Sequence, residues 1–172
     1  MANLKDKTIQ LYFKTQNGYS YRVSGQMTYE QFLNGGRKAD NYIDTIKEIR
    51  NCEYKSEKYV ALKSTLPLCS VASYSSRMKA TYNDITEEYN VISIDIDLAD
   101  NGEFFKEHTL DELKSAWIEH PSCFCSMLSC GGQGIVLYFL VEDLRHNADL
   151  YWKYFYLLFK KNGIDIDAHA KD

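Results

Sequence analysis

The sequence lacks what marks an exported, membrane-spanning or cross-linked chain. No stretch approaches about 18 uninterrupted apolar residues, the length a membrane helix needs, and Met1 to Lys7 lacks the apolar run of a signal peptide. A cytoplasmic location without membrane contact is the expectation. There are five cysteines, Cys52, Cys69, Cys123, Cys125 and Cys130, and an odd count without an export signal argues against a disulfide framework. They do not read as a zinc site either, because no Cys-x-x-Cys pair or spaced histidine pair supplies the remaining ligands. Proline occurs twice, at Pro67 and Pro121, and there is no repeat, low-complexity segment or long linker. Surplus positive charge is missing too. Residues 1–90 hold 13 Lys/Arg against 10 Asp/Glu and residues 91–172 hold 7 against 14, which gives +3 and −7 within a net −4. Without a basic stripe, a polynucleotide would be held weakly, through the first half, or with help from another protein. What remains, 172 residues of which 45% are hydrophobic, suffices for one full core or a core with an appended subdomain.

The most informative stretch is Val91-Ile92-Ser93-Ile94-Asp95-Ile96-Asp97-Leu98. Strand side chains repeat with period two, so Ile92, Ile94, Ile96 and Leu98 point one way and Ser93, Asp95 and Asp97 the other. Two carboxylates side by side repel unless a positive charge lies between them. Hard oxygen ligands suit magnesium or manganese, ions that commonly carry nucleotide phosphates. The alternative is a half-exposed strand with a solvated acidic face.

The elements that follow are ordered. Thr109 with Glu112 forms a Thr-x-x-Glu capping box ahead of Leu113, Ala116 and Trp117, predicting a helix that stops at Pro121. Cys123 to Leu128 and Ile135 to Val141 read as two strands of a hairpin, with Cys130-Gly131-Gly132-Gln133-Gly134 as the turn. Ala148 to Asn162 reads as a helix ending in Lys160, Lys161 and Gly163. Ile164-Asp165-Ile166-Asp167 reads as a short strand. Strand, helix, strand, strand, helix, strand is the βαββαβ order of ferredoxin-like and RNA-recognition-motif-like (RRM-like) domains, an α+β class. In that topology the last strand lies antiparallel beside the first. Asp165 and Asp167 would then approach Asp95 and Asp97 on the face the helices leave open.

The first half predicts a mixed α/β unit over residues 1–85, leaving 86–172 for the core. Thr8 to Lys14 and Tyr19 to Val23 read as a hairpin around Asn17-Gly18. Thr28 and Gln31 open a short helix that ends at Gly35-Gly36, a helix lies near 38–51, and Tyr59 to Ser64 is a helical piece stopped by Pro67. Cys69 to Tyr74 reads as a strand. Most of the 14 tyrosines read as core, although aromatic rings can also stack on bases. His108, His120, His146 and His169 read as surface or loop residues.

Ser129 to Gly134 lies between two strands and lacks the Lys-Ser/Thr pair of an ATPase phosphate loop. Its glycines suit close backbone approach to a phosphate, and equally a tight hairpin with positive φ angles.

Together, the Asp-x-Asp strand (Asp95, Asp97), the Ser-x-Gly-Gly-x-Gly hairpin (Ser129 to Gly134) and the hydrophobic-Asp third motif (Ile166, Asp167) resemble the archaeo-eukaryotic primase superfamily. The VirE-like N-terminal primase-polymerase domains of bacterial mobile elements are similar also at Tyr59 to Pro67, at Leu150 to Phe155 and at Lys160 to Asp167. The resemblance implies an RRM-like catalytic core with a mixed N-terminal unit packed against it. It implies two-metal nucleotidyl transfer with Mg2+ or Mn2+, a nucleoside triphosphate and a single-stranded DNA template as partners, and a role in replicating a mobile element. Asp95, Asp97 and Asp167 would hold the ions, with Asp165 the nearest substitute. Ser129, Gly132, Gln133 and Gly134 would hold the incoming phosphates, with Lys63 and Arg77 as further phosphate contacts. Relatives often carry a helicase-type ATPase domain, so such a domain or protein is an expected partner. One departure is Val136, at a position where the superfamily places histidine or a basic residue. A noncatalytic nucleic-acid-binding or recruitment module on the same fold is the alternative.

Overall fold

Both halves of the chain build antiparallel sheets accompanied by helices, the α+β class. The computed structural model describes residues 4–12, 14–15, 18–19, 25–33, 40–71, 73–74 and 85–167. It divides into two units, Met1–Tyr89 and Asn90–Asp172. Among the described residues no helix is long and apolar enough to cross a membrane.

In the first unit the predicted hairpin reaches further along the chain than its sequence signal. Strand β1 (Thr8–Tyr12) is followed by the inner rungs β2 (Lys14–Thr15) and β3 (Gly18–Tyr19), and then pairs antiparallel with β4 (Gly25–Thr28), Thr8 opposite Thr28. The expected turn at Asn17 lies outside the described residues. Thr28 caps α1 (Tyr29–Leu33) as its capping box predicts: its Oγ1 accepts from the Gln31 amide at 3.1 Å, and Gln31 Oε1 accepts from the Thr28 amide at 2.9 Å. Helix α2 (Asp40–Arg50) follows, then α3 (Glu57–Lys63), which opens on the Ser56 N-cap. The strand expected over Cys69 to Tyr74 is two pieces, because its ends bond different partners. β5 (Leu68–Cys69) pairs with β1, while β6 (Ser73–Tyr74) pairs with β7 (Ile85–Glu87). Tyr29, Tyr59 and Tyr89 are buried, and the Tyr29 and Tyr89 hydroxyls donate to the Val71 and Thr8 carbonyls.

The second unit runs β8 (Val91–Asp97), α4 (Leu110–Ile118), β9 (Cys123–Leu128), β10 (Gly134–Leu140) and α5 (Leu144–Lys161). Its antiparallel sheet has the order β8-β10-β9. Directly opposed residues share a face, so Ile92, Ile94 and Ile96 stand with Phe139, Leu137 and Ile135, and all six are buried. The Phe139 ring lies 4.3 Å from Phe155 of α5, and Trp117 of α4 lies 4.1 Å from Phe159, so both helices meet on this face. In α5 the buried Leu144, Ala148, Phe155 and Phe159 fall on one helical stripe. This helix starts four residues before the predicted Ala148, because Asn90 Oδ1 accepts from the Leu144 amide at 3.1 Å and Leu144 itself is buried. The α4 capping box forms as predicted, and the helix ends at Ile118, ahead of Pro121.

One predicted element is not a strand. Residues 164–167 form no assigned strand; Ile164 and Ile166 are buried, and the Asp167 amide donates to the β8 Asp95 carbonyl at 3.0 Å. The reason is a side chain. Asn101 Oδ1 accepts from the Asp165 amide at 2.6 Å, and its Nδ2 donates to the Asp165 carbonyl at 2.8 Å, occupying groups a neighbouring strand would have paired.

Candidate active site

Strand alternation sets the site. Asp95 and Asp97 are half-buried on the sheet face opposite Ile94 and Ile96. Across β10, Val136 stands opposite Asp95 and Gly134 opposite Asp97, with Met127 of β9 beyond Val136. On the other side of β8, the bond from the Asp167 amide to the Asp95 carbonyl brings the third aspartate alongside the first. Asn101, buried in the 3-10 turn Leu98–Asn101 that follows β8, fixes this edge. Its Nδ2 also donates to the Asp97 carbonyl at 2.9 Å, so one amide joins the end of β8 to the 164–167 segment. Sequence reasoning missed Asn101. Its only signal is an isolated asparagine four residues after Asp97, and no periodicity marks it.

The glycine hairpin lies against the same strand end. The Leu98 amide donates to the Gln133 carbonyl at 2.8 Å, and the Ser129 amide to the Gly134 carbonyl at 2.9 Å. Two glycines have separate reasons. Gly132 takes φ 69°, the left-handed region. Gly134 is needed for space, since a Cβ there would meet the Ile96 carbonyl oxygen at 2.5 Å and Asp97 Oδ1 at 2.9 Å. Ser129, Gly132, Gln133 and Gly134 therefore belong to one turn beside Asp97.

Other expected residues are placed elsewhere. Asp165 is exposed and its carboxylate faces Lys160 Nζ at 3.5 Å, an interaction that raises the Lys160 pKa, chiefly through the charge of Asp165. Lys63, in the first unit, is exposed at the end of α3 with its ammonium 5.8 Å from the Tyr59 ring centre. Arg77 and His169 lie outside the described residues. All five cysteines are free thiols. His108 and His146 are exposed, whereas His120 is half-buried with its ring edge-on to Phe139.

The donor chemistry of Asp95, Asp97 and Asp167 suits a hard divalent cation. The placement does not complete a ligand set: among the described residues no group of three His, Cys, Asp or Glu side chains is arranged to hold a metal ion. The backbone thus gathers the aspartates without closing their carboxylates around a common point. Compared with protein-family models, with curated proteins and with solved structures, the chain has no match in any of the three.

Proposed function

We propose that this chain is a primase-polymerase-like nucleotidyltransferase acting in replication of a mobile element, its second unit an RRM-like core of ferredoxin-like topology. The observation that carries the reading is the bond from the Asp167 amide to the Asp95 carbonyl, which lays the third acidic motif beside the first. The sheet order β8-β10-β9 supports it as well, since adding the 164–167 segment beside β8 gives the strand order of that fold. Asp95, Asp97 and Asp167 would hold Mg2+ or Mn2+, two ions being expected, and the ions when bound would supply activation of a hydroxyl nucleophile and charge neutralisation at a triphosphate. The chain's own part is to hold Asp97 against the Gly134 backbone and to present the Ser129 to Gly134 turn beside it, where a nucleoside triphosphate would lie. Single-stranded DNA would be the template, and a helicase-type ATPase the companion activity.

A second reading has its own support. The side chain opposite Asp95 is Val136, which can neither donate a hydrogen bond nor offset phosphate charge, and the carboxylates are not closed as a ligand set. Both features favour a noncatalytic nucleic-acid-binding or recruitment module on the same fold. The deciding experiment is incorporation of labelled nucleotides on single-stranded DNA with Mg2+ or Mn2+, comparing the wild type with Asp95→Asn, both verified as folded by circular dichroism. Incorporation that vanishes in Asp95→Asn supports the enzyme. No incorporation, together with nucleotide binding that is indifferent to metal, rejects the enzyme in favour of the binding module.

A further inference from the structure

Helix α5 has two apolar stripes, and the core uses one. Leu144, Ala148, Phe155 and Phe159 are buried, whereas Leu150, Tyr154 and Leu157 fall on the opposite side of the helix and are 64%, 50% and 56% exposed. Single exposed apolar side chains are ordinary, but three in line form a patch that marks an interaction surface. The line is longer than its apolar part. Asp143, Asn147, Leu150, Tyr154, Leu157 and Lys161 recur at alternating spacings of four and three, the seam along which one helix packs against another.

The charges of the helix decide what fits this seam. Its start carries Glu142, Asp143 and Asp149 against Arg145, and its end carries Lys153, Lys160 and Lys161, with Asp165 beside Lys160. A helix acidic at one end and basic at the other complements its own reverse. A parallel copy would set like charges together. A uniformly acidic or uniformly basic partner would match one end and be repelled by the other.

We propose that the outer face of α5 is a self-association surface on which a second copy of this chain packs antiparallel. Leu150 of each copy meets Leu157 of the other, the two Tyr154 rings meet at the twofold axis, and the lysine end of each helix lies beside the acidic end of its mate. Lys153 flanks the seam, its stem covering apolar surface and its ammonium in water. A helix of 18 residues spans about 27 Å, so the interface is small and the dimer should dissociate in the range of roughly 10–100 μM. Sedimentation velocity of the whole chain, from below that range to above it, should show the sedimenting mass rising from one chain to two. Leu157→Glu should remain a single chain throughout, with the circular dichroism and melting temperature of the wild type, because the side chain it replaces is already exposed. Lys161→Glu should weaken the dimer several-fold, since the symmetry removes the attraction twice. Tyr154→Cys and Lys161→Cys test the orientation by oxidation, with the wild type as control for the native thiols. Position 154 lies at the axis and should cross-link to itself. Position 161 should not, because antiparallel packing holds its two copies about 20 Å apart along the helices, beyond the reach of a disulfide. A wild type that stays monomeric, a dimer unmoved by Leu157→Glu, or cross-linking through position 161 but not 154 would each overturn the proposal. So would binding of the monomeric chain to phosphatidylserine vesicles that Leu157→Glu abolishes, which would assign the seam to a membrane surface. None of these readouts involves nucleotides or metal, so the outcome is separate from that of the incorporation assay.

Discussion

Gly134 stands directly opposite Asp97, and the approach is so close that any side chain at 134 would press on the Ile96 carbonyl and on the Asp97 carboxylate. Backbone cannot yield as a flexible side chain can. Gly134→Ala should therefore destabilise the fold by about 1–3 kcal/mol, the range for overpacking. Gly102→Ala is the internal control, since nothing lies within 4 Å of a Cβ there and its φ of −56° is helical. That change should be neutral or slightly stabilising, by up to about 1 kcal/mol, through loss of unfolded-state freedom. Urea unfolding of the two variants checks both signs, and equal effects would refute the close-contact account.

Asn101 makes three hydrogen bonds to backbone groups of Asp97 and Asp165, joining the end of β8 to residues 164–167. Asn101→Ala should cost about 2–4 kcal/mol, because each backbone group left without its partner carries a desolvation penalty. Asn101→Asp separates donor from acceptor. Its carboxylate can still accept from the Asp165 amide but has no proton for the two carbonyls, and when protonated it can donate to only one of them. The folded form then favours the protonated acid, its pKa is raised, and the variant should regain stability as pH falls and lose it as pH rises through the folded value. Chemical unfolding from pH 4 to pH 8 tests the sign, and a flat profile would count against the clamp.

The parts legible in the sequence are those set by local periodicity or by a cap. Ile92, Ile94 and Ile96 alternate with Asp95 and Asp97 as the pattern requires, and Thr28 and Thr109 cap their helices through the residues three positions on. The parts not legible depend on one side chain acting at long range. Nothing in Ile164-Asp165-Ile166-Asp167 distinguishes a strand from a segment that forms none, because the difference is made by Asn101, 64 residues away from Asp165. The role of Gly134 was half legible. A glycine-rich turn was evident, but that one glycine serves the fit of Asp97 rather than turn geometry depends on the strand register. Asp165 shares the alternation of Asp167, yet Lys160, in the last turn of α5, engages its carboxylate.

Cys125 should be a slow nucleophile. Burial pushes its thiol up to about 11, the neighbouring Cys123 adding to this and Lys114 opposing it. The thiolate is the reactive form, so alkylation at neutral pH should run well below that of a free thiol with a pKa of about 8.5. Iodoacetamide labelling across pH, read peptide by peptide by mass spectrometry, should give Cys125 a profile still rising at pH 10. A plateau by pH 9.5 would show that the thiol is not desolvated.

The Thr109 capping box gives a pH dependence whose sign is fixed by its geometry. The Glu112 carboxylate accepts from the Thr109 amide at 2.7 Å and from its hydroxyl at 3.0 Å, and these bonds hold its pKa below the usual glutamate range. A depressed folded pKa means stability that is present above the unfolded value and is lost as pH falls through the folded one. Thr109→Ala should destabilise by roughly 0.5–2 kcal/mol at neutral pH through loss of the N-cap. Glu112→Gln should be destabilising at neutral pH and approach the wild type in acid, because the wild-type carboxyl is then protonated as well. Thermal unfolding of wild type and Glu112→Gln in parallel, from pH 7 down to pH 3, should show the gap in melting temperature closing only below the ordinary glutamate pKa. A gap that stays constant across that window would place the effect in packing rather than in the charge of Glu112.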